Sequence, residues 1–497
     1  MADRDAPIVV NSEKQLFIDD KFIAESSELT LTMNPPQQMP EPVLEVDRPW
    51  EGFIGAYNTV LKEGDRFRLW YDVLLPEGSS EIFRGIAYAE SDDGIHWRKP
   101  NQNLIEFQGS TENNLVAPRL PDAPRGEMEG ATVFRDTNPA CPPEERYKLW
   151  TKMRQIPPAD IQAGKTGGLV QMYSEDGIYW KVYHERVDTA RCDTQNVPFW
   201  DERLQKYVGY VRTRTETDDY QGRSVGRVES DDFRDWSETE IVFEASPEDF
   251  RAPIPPAYRE RIGSYVDVYT NGCMKYPFAQ DAYFMMPSFL YHWDCKEIPN
   301  ERQINFPDTC DVRLLTSRDG INWSYTGGRK PFLRLGAWGS LSARMIYAAP
   351  GVVRVGDDLW HYYKGSNFDH SSQPDPESNA KGSGLFRAIS RLDGFISVDT
   401  PYEGGTLTTP PLIFEGNQLA VNIDTSAGGI LRAEIQSADG KPIEGYTLAD
   451  SDEHNGNSVH MPVRFQEKSE VNELAGVPIR LHFQMYDCKL YAFQFIT

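Results

Sequence analysis

Ser91 to Trp97 reads SDDGIHW, and the chain says it again: SEDGIYW at Ser174 to Trp180, SRDGINW at Ser317 to Trp323, and a degraded SDDFRDW at Ser230 to Trp236. A weaker echo, SRLDGF, lies at Ser390 to Phe395. An Asp-Gly turn needs Gly for a positive φ, the Ser and Asp side chains can hydrogen-bond turn amides, and the Trp closes over the adjoining strand. One such turn marks a hairpin. Four or five at wide, similar spacing mark a repeat architecture.

Upstream of each turn lies a short aromatic and aliphatic strand: FRLWYDV from Phe67, YKLWTKM from Tyr147, YVGYVRT from Tyr207, YFMMPSF from Tyr283 and WHYYKGS from Trp360. By subtraction their starts are 80, 60, 76 and 77 residues apart, room for four strands and long loops. A compact propeller blade takes roughly 40 to 45 residues, so these are blades with insertions. No stretch holds a sustained helical period. The fold class expected is therefore all-β, a five-bladed β-propeller followed by a β-sandwich domain. Residues 1–45 are an N-terminal lead-in packing on the propeller, 46–398 the propeller catalytic domain and 399–497 the sandwich. The last segment carries alternating strands and hairpin signals such as Ala438-Asp439-Gly440.

With 51 basic against 76 acidic residues the formal charge is −25, which argues against nucleic acid as a partner. No run approaches the roughly 20 apolar residues of a membrane span, and MADRDAPIVV has no apolar signal core. Localisation stays open: cytoplasmic, or periplasmic or secreted if a leader was removed. The six Cys show no CxxC pair and no zinc spacing with His, so no metal and no cofactor is expected. Cys295 and Cys310 are the nearest candidates for a disulfide. Oligomeric state is unreadable.

In a propeller the first strand of each blade lines the central channel, and its beginning opens on one face as a funnel. The residues found there are Asp47, Trp50, Glu51, Tyr57 and Asn58 in the first blade, Glu129 in the second, and Asp193, Gln195 and Asn196 in the third. The fourth offers Asp267 and Tyr269, the fifth Trp338 and Arg344. Carboxylates recur at this place in four of the five units. Paired carboxylates in an aromatic-lined funnel suit glycoside cleavage, one protonated to serve the leaving oxygen and one ionised as nucleophile or base. The expected reacting pair is Asp193 and Glu129, with Glu51 or Asp267 as the third carboxylate and no assignment of acid against base.

Trp50, Tyr57, Trp200, Tyr269, Tyr276 and Trp338 are candidates to stack on sugar faces, and Arg212, Arg214 and Arg344 to hold an anionic group such as a uronate or sulfate. His370, beside Asp369, is a candidate relay or ligand. Trp97, Trp180, Trp236 and Trp323 belong to blade packing.

The layout, the S-x-D-G-x-x-W turns, the YAES strand before the first turn and the trailing sandwich resemble the five-bladed propeller glycoside hydrolases related to families 32 and 43. The resemblance implies three acidic residues from successive early blades and a carbohydrate substrate. The WMNDPNG, RDP and EC signatures of the invertase type are absent from their places; Arg135-Asp136-Thr137 is a partial RDP. A glycoside hydrolase, exo-acting where long loops deepen the funnel, is the leading expectation. A phosphorylase on the same fold and a non-catalytic glycan-binding propeller are the alternatives.

Overall fold

The computed structural model describes residues 6–76, 84–117, 128–153, 169–187, 192–216, 221–250, 266–291, 308–369, 382–466 and 468–496. Their architecture is nearly all-β: a propeller-like series of antiparallel units followed by a two-sheet sandwich. The first unit orders Phe53–Glu63, Arg66–Leu74, Arg84–Ser91 and Leu115–Ala117 as a four-stranded meander. The second repeats it with Met128–Arg135, Tyr147–Met153, Leu169–Ser174 and Lys181–Val187, and the third with Val197–Asp201, Lys206–Glu216, Gln221–Ser230 and Glu240–Phe243.

The fourth unit is broken. Gly272, at φ +54°, with Met286 O only 2.7 Å from where a Cβ would stand, splits its first strand into Val266–Thr270 and Cys273–Lys275. In the fifth, Met345–Ala348, Asp358–Ser366 and Ser383–Arg391 are completed by Gln37–Gln38 and Leu44–Glu45 from the lead-in. A single parallel pair, Cys310 with Met345, merges the fourth and fifth units into one sheet. Cys310 is a buried free thiol; Cys295, its candidate partner, lies outside the described residues.

The repeated turns form as their residues dictate. Ser91 Oγ accepts from the Gly94 amide at 2.9 Å, and Asp93 Oδ1 from the Ile95 and His96 amides at 2.8 Å each. The same pattern recurs at Ser174, Ser230 and Ser317. The fourth residue of each copy lies at positive φ: Gly94 +71°, Gly177 +76°, Phe233 +65°, Gly320 +72°. In the fifth copy that place belongs to Asp393, at +65°, and not to Gly394.

Each turn docks on an aromatic residue of the unit before it. Trp70 Nε1 donates to Gly177 O at 2.7 Å, Tyr210 OH to Gly320 O at 2.6 Å, and Phe233 lies over the Trp150 ring at 6.0 Å. Tyr276 OH donates to Asp393 Oδ1 at 2.8 Å. The series returns on itself, because Tyr362 of the fifth unit donates to Gly94 O of the first at 2.9 Å. Trp97, Trp236 and Trp323 pack as expected, on Tyr362, Trp150 and Tyr210.

The sandwich buries one core between two six-stranded sheets, with Ile479–Tyr486 alternating buried and half-buried residues as a strand with one inner face must. Lead-in strands feed it: Ile8–Asn11 pairs with Leu412–Phe414, Gln15–Leu16 with Cys488–Ile496, Glu25–Ser27 with Gly405–Thr408, and Thr30–Met33 with Ile396–Thr400. Among the described residues no helix is long and apolar enough to cross a membrane.

Candidate active site

First strands run outward from one end of the units, and second strands return to it, so the starts of the former meet the ends of the latter. This brings charged side chains together. Glu129 lies opposite Lys152 in register and pairs with Arg84, whose Nε is 3.6 Å from Asp72 Oδ2. Asp193 takes Arg212 on one oxygen and has Lys152 at 3.9 Å from the other. Asp267 accepts the Arg223 amide at 2.6 Å and pairs with its guanidinium. Arg344 Nε donates to Asp369 Oδ1 at 2.6 Å.

The tyrosines expected to stack on sugars are buried instead. Tyr57 is 2% and Tyr269 6% exposed, their hydroxyls meet at 3.5 Å across the ring, and Tyr347 packs on Tyr269 at 5.7 Å between centroids. Arg212 lies over Tyr269 at 4.4 Å. Burial pushes the Tyr57 hydroxyl well above its ordinary range, and Tyr269 and Glu129 add to it against the opposing pull of Arg212 and Arg84. Tyr57, Tyr269 and Tyr347 pack in one buried cluster with Leu290, Cys310 and Met345.

Glu51 does not join the cluster. Its carboxylate is buried and fully used by Tyr71 OH at 2.6 Å, Lys99 Nζ at 2.8 Å and the amides of Asp47 and Arg48. Trp50 is likewise structural, donating to Asn114 Oδ1 at 2.7 Å and packing on Phe107. Gln195 ties the first two units together through Asn58 O and Ala131 O, each at 3.0 Å. Asn196 braces the third by bonding Cys192 O, Thr194 O and the Arg212 amide. Asn58 is 1% exposed with no hydrogen bond to its side chain. Arg212 and Arg344, proposed as anion holders, already carry Asp193 and Asp369. Trp338 is 87% exposed with Arg344 5.9 Å from its ring, the one candidate aromatic with a face open to solvent. His370 lies outside the described residues.

Sequence reasoning missed Asp72, Arg84, Lys152, Arg223, Asp308, Lys364 and Asp369. The signal was present: counting from Phe67, Tyr147, Tyr207 and Leu359, the sixth strand residue is Asp72, Lys152, Arg212 and Lys364. Lys364 is 3% exposed, held between the Tyr347 and Phe368 rings at 5.3 and 5.1 Å, and makes no ion pair with another described residue. Burial pulls its ammonium down to about 7; Cys310 and Asp72 oppose that pull and Arg84 adds to it.

Two carboxyls are driven apart. Burial raises Asp193, but Arg212, Lys152 and Arg223 outweigh it, so Asp193 lies below its usual value. In Asp369 burial wins over the Arg344 pair, with Asp308 helping, and its affinity for a proton rises. Among the described residues no three His, Cys, Asp or Glu side chains gather at metal-binding distance.

Proteins of similar fold include glycan-acting ones. One is β-1,2-mannobiose phosphorylase from Listeria innocua, 12% identical with a TM-score of 0.46 over 73% of this chain and 98% of that one. By sequence, this chain is 35% identical over 189 residues to uncharacterized proteins of two Mycobacterium tuberculosis strains, covering 35% of this chain and 52% of theirs. It is 22% identical over 437 residues to the A type blood N-acetyl-alpha-D-galactosamine deacetylase of Flavonifractor plautii, covering 80% of this chain and 50% of that protein. The chain thus spans about half the length of the curated relatives it matches. No family model matches it.

Proposed function

We propose that this chain is a carbohydrate-active enzyme that cleaves a glycosidic bond at the charged end of a closed five-bladed propeller over 46–398, with 399–497 as its sandwich and 1–45 as a lead-in. The observation that carries the reading is the divergence of Asp369 and Asp193. Asp369, whose affinity for a proton burial raises, is the group assigned to protonate the leaving oxygen, and Asp193, held below its usual value by Arg212 and Lys152 and half open to solvent, serves as nucleophile or activates water. Glu129 and Asp267, each on an arginine, keep those cations in place. The proposed action is exo, as expected where long loops deepen the funnel. Ring closure is supported by the turn contact from the fifth unit to the first, the arrangement that families 32 and 43 display.

The six cations (Arg84, Lys152, Arg212, Arg223, Arg344, Lys364) are matched by six carboxylates (Asp72, Glu129, Asp193, Asp267, Asp308, Asp369) among the described residues, which favours a neutral sugar. The test is a panel of 4-nitrophenyl glycosides. Asp193→Asn and Asp369→Asn should each lower kcat about 10²- to 10⁴-fold. Activity toward a substrate with a good leaving group should survive better in Asp369→Asn. Unchanged turnover in both variants refutes the assignment.

Phosphorolysis is a second reading, favoured by Lys364: a buried cation that makes no salt bridge among the described residues suits a phosphate. Its mark is turnover that depends on added inorganic phosphate and falls in Lys364→Met.

A further inference from the structure

A second cleft lies where three parts of the chain meet, at the other end of the fifth unit. It has a volume of about 560 Å³, within the roughly 300–1,000 Å³ of small-ligand sites. The lead-in contributes Asn34 and Gln37, the fifth unit Asp357, Asp358 and Arg391, and the sandwich Asp424, Asn457, Ser458 and Tyr491. Asp358 opens the nine-residue strand whose far end leads to Asp369. At about 3.3 Å per residue the cleft is roughly 27 Å from the charged cluster, so one sugar cannot touch both.

The walls are fixed. The Arg391 guanidinium lies over the Tyr491 ring at 4.5 Å and donates to Asn457 Oδ1 at 2.5 Å, Asn422 Oδ1 at 2.7 Å and Ile423 O at 3.2 Å. Its buried Nε has no hydrogen-bond partner. Asn34 is held by Thr32 O, Ser397 Oγ and Lys489 Nζ. Facing these are the exposed carboxylates of Asp357 and Asp358 and the half-buried one of Asp424, with Ile389, Pro35 and Val459 as apolar wall. Carboxylates, amides and hydroxyls converging from three directions, with a small apolar strip, suit a ligand that is all hydroxyl on its edges and carbon on its faces.

We propose that this seam is a glycan-binding site, distinct from the charged cluster, that takes a short stretch of a neutral polysaccharide and holds the polymer to the enzyme. The proposal rests on the carbohydrate reading above for its ligand class. The cleft spans propeller and sandwich, so an occupied site also clamps the two together.

The test is affinity electrophoresis of the full chain in native gels containing xylan, arabinan, β-mannan or pullulan. At least one polymer should retard the protein, and Ser458→Trp, which fills the cleft, and Asp358→Ala, which removes an exposed acceptor, should each weaken that retardation about tenfold. Thermal unfolding confirms that both variants fold; Asp358→Ala, on an exposed side chain, keeps the test open if the tryptophan does not. Asp193→Asn should retain full retardation. The site is refuted if no polymer retards the wild type, if both cleft variants run as the wild type does, or if Asp193→Asn abolishes retardation. Failure of the catalytic reading looks different: retardation persists and depends on the cleft, while no glycoside is turned over.

Discussion

Replacing Lys364 with Met should make the protein more stable at neutral pH. The side chain is buried with no ion pair among the described residues, and its folded-state value of about 7 stands against an ordinary 10.5. The folded protein therefore binds this proton more weakly than the unfolded chain does. The penalty is full below about pH 7, shrinks as pH rises toward 10.5, and is gone above it. At 1.36 kcal/mol per tenfold in affinity, the gap amounts to about 4 kcal/mol at pH 7, where the folded group is half titrated, and about 1 kcal/mol at pH 9.5. Met fills much the same volume but forfeits the attraction of the ammonium to the Tyr347 and Phe368 rings, worth about 1–2 kcal/mol. The net expectation is a gain of about 3 kcal/mol for Lys364→Met at pH 7, shrinking by about 3 kcal/mol by pH 9.5. Equilibrium urea unfolding of both proteins at the two pH values, followed by tryptophan fluorescence, reads this difference, and titrations elsewhere cancel between them. A variant less stable than wild type at pH 7, or a difference that does not change with pH, refutes the reasoning.

Phe233 sits at φ +65° in the turn position that elsewhere is Gly, and Phe233→Gly weighs two effects. Relief of strain returns about 1 kcal/mol, but the ring packs on Phe134, Trp150, Tyr207 and Trp236. Its loss costs about 3–5 kcal/mol, so thermal unfolding should show a net loss. Asp319 is held down to about 2 by the Asn322 and Ile321 amides, the Asn322 side chain and Ser317, which together outweigh the effect of burial. It contributes stability above its ordinary 3.8 that disappears as pH falls toward 2. Asp319→Asn should therefore flatten the loss of stability between pH 4 and 2, read from acid unfolding curves.

The repeating turns were legible because their chemistry is local: Ser, Asp and a fourth residue at positive φ satisfy one another within five positions. The fifth copy misled by one residue. SRLDGF advertises an Asp-Gly turn, yet Asp393 takes the glycine position because Tyr276, Lys14 and Asn422, all distant in sequence, bond its carboxylate. The same limit governs the site. Asp193, Glu129 and Asp267 were placed by their position at the start of first strands. Glu51 shares that position, and only Tyr71 and Lys99 withdraw it. Their partners, Arg84, Lys152 and Arg223, lie on second and third strands, where hairpin register decides the neighbour. That Tyr57 and Tyr269 meet across the ring depends on its diameter, which no local pattern encodes.

The pairing of the lead-in with the last strand has a consequence for the order in which the molecule can be built. Gln15 finds Phe493, 478 residues later by subtraction. At about 5–20 residues per second of synthesis, that strand waits roughly 25–95 s for its partner. Gln37 and Gln38 wait nearly as long for Ile389 and Ala388. Through that interval the first three units can close as independent meanders. The fifth unit stays open until Ile389 has left the ribosome, and the sandwich until Phe493 has. On the ribosome, the strand around Phe493 must emerge before the strand at Gln15 can pair.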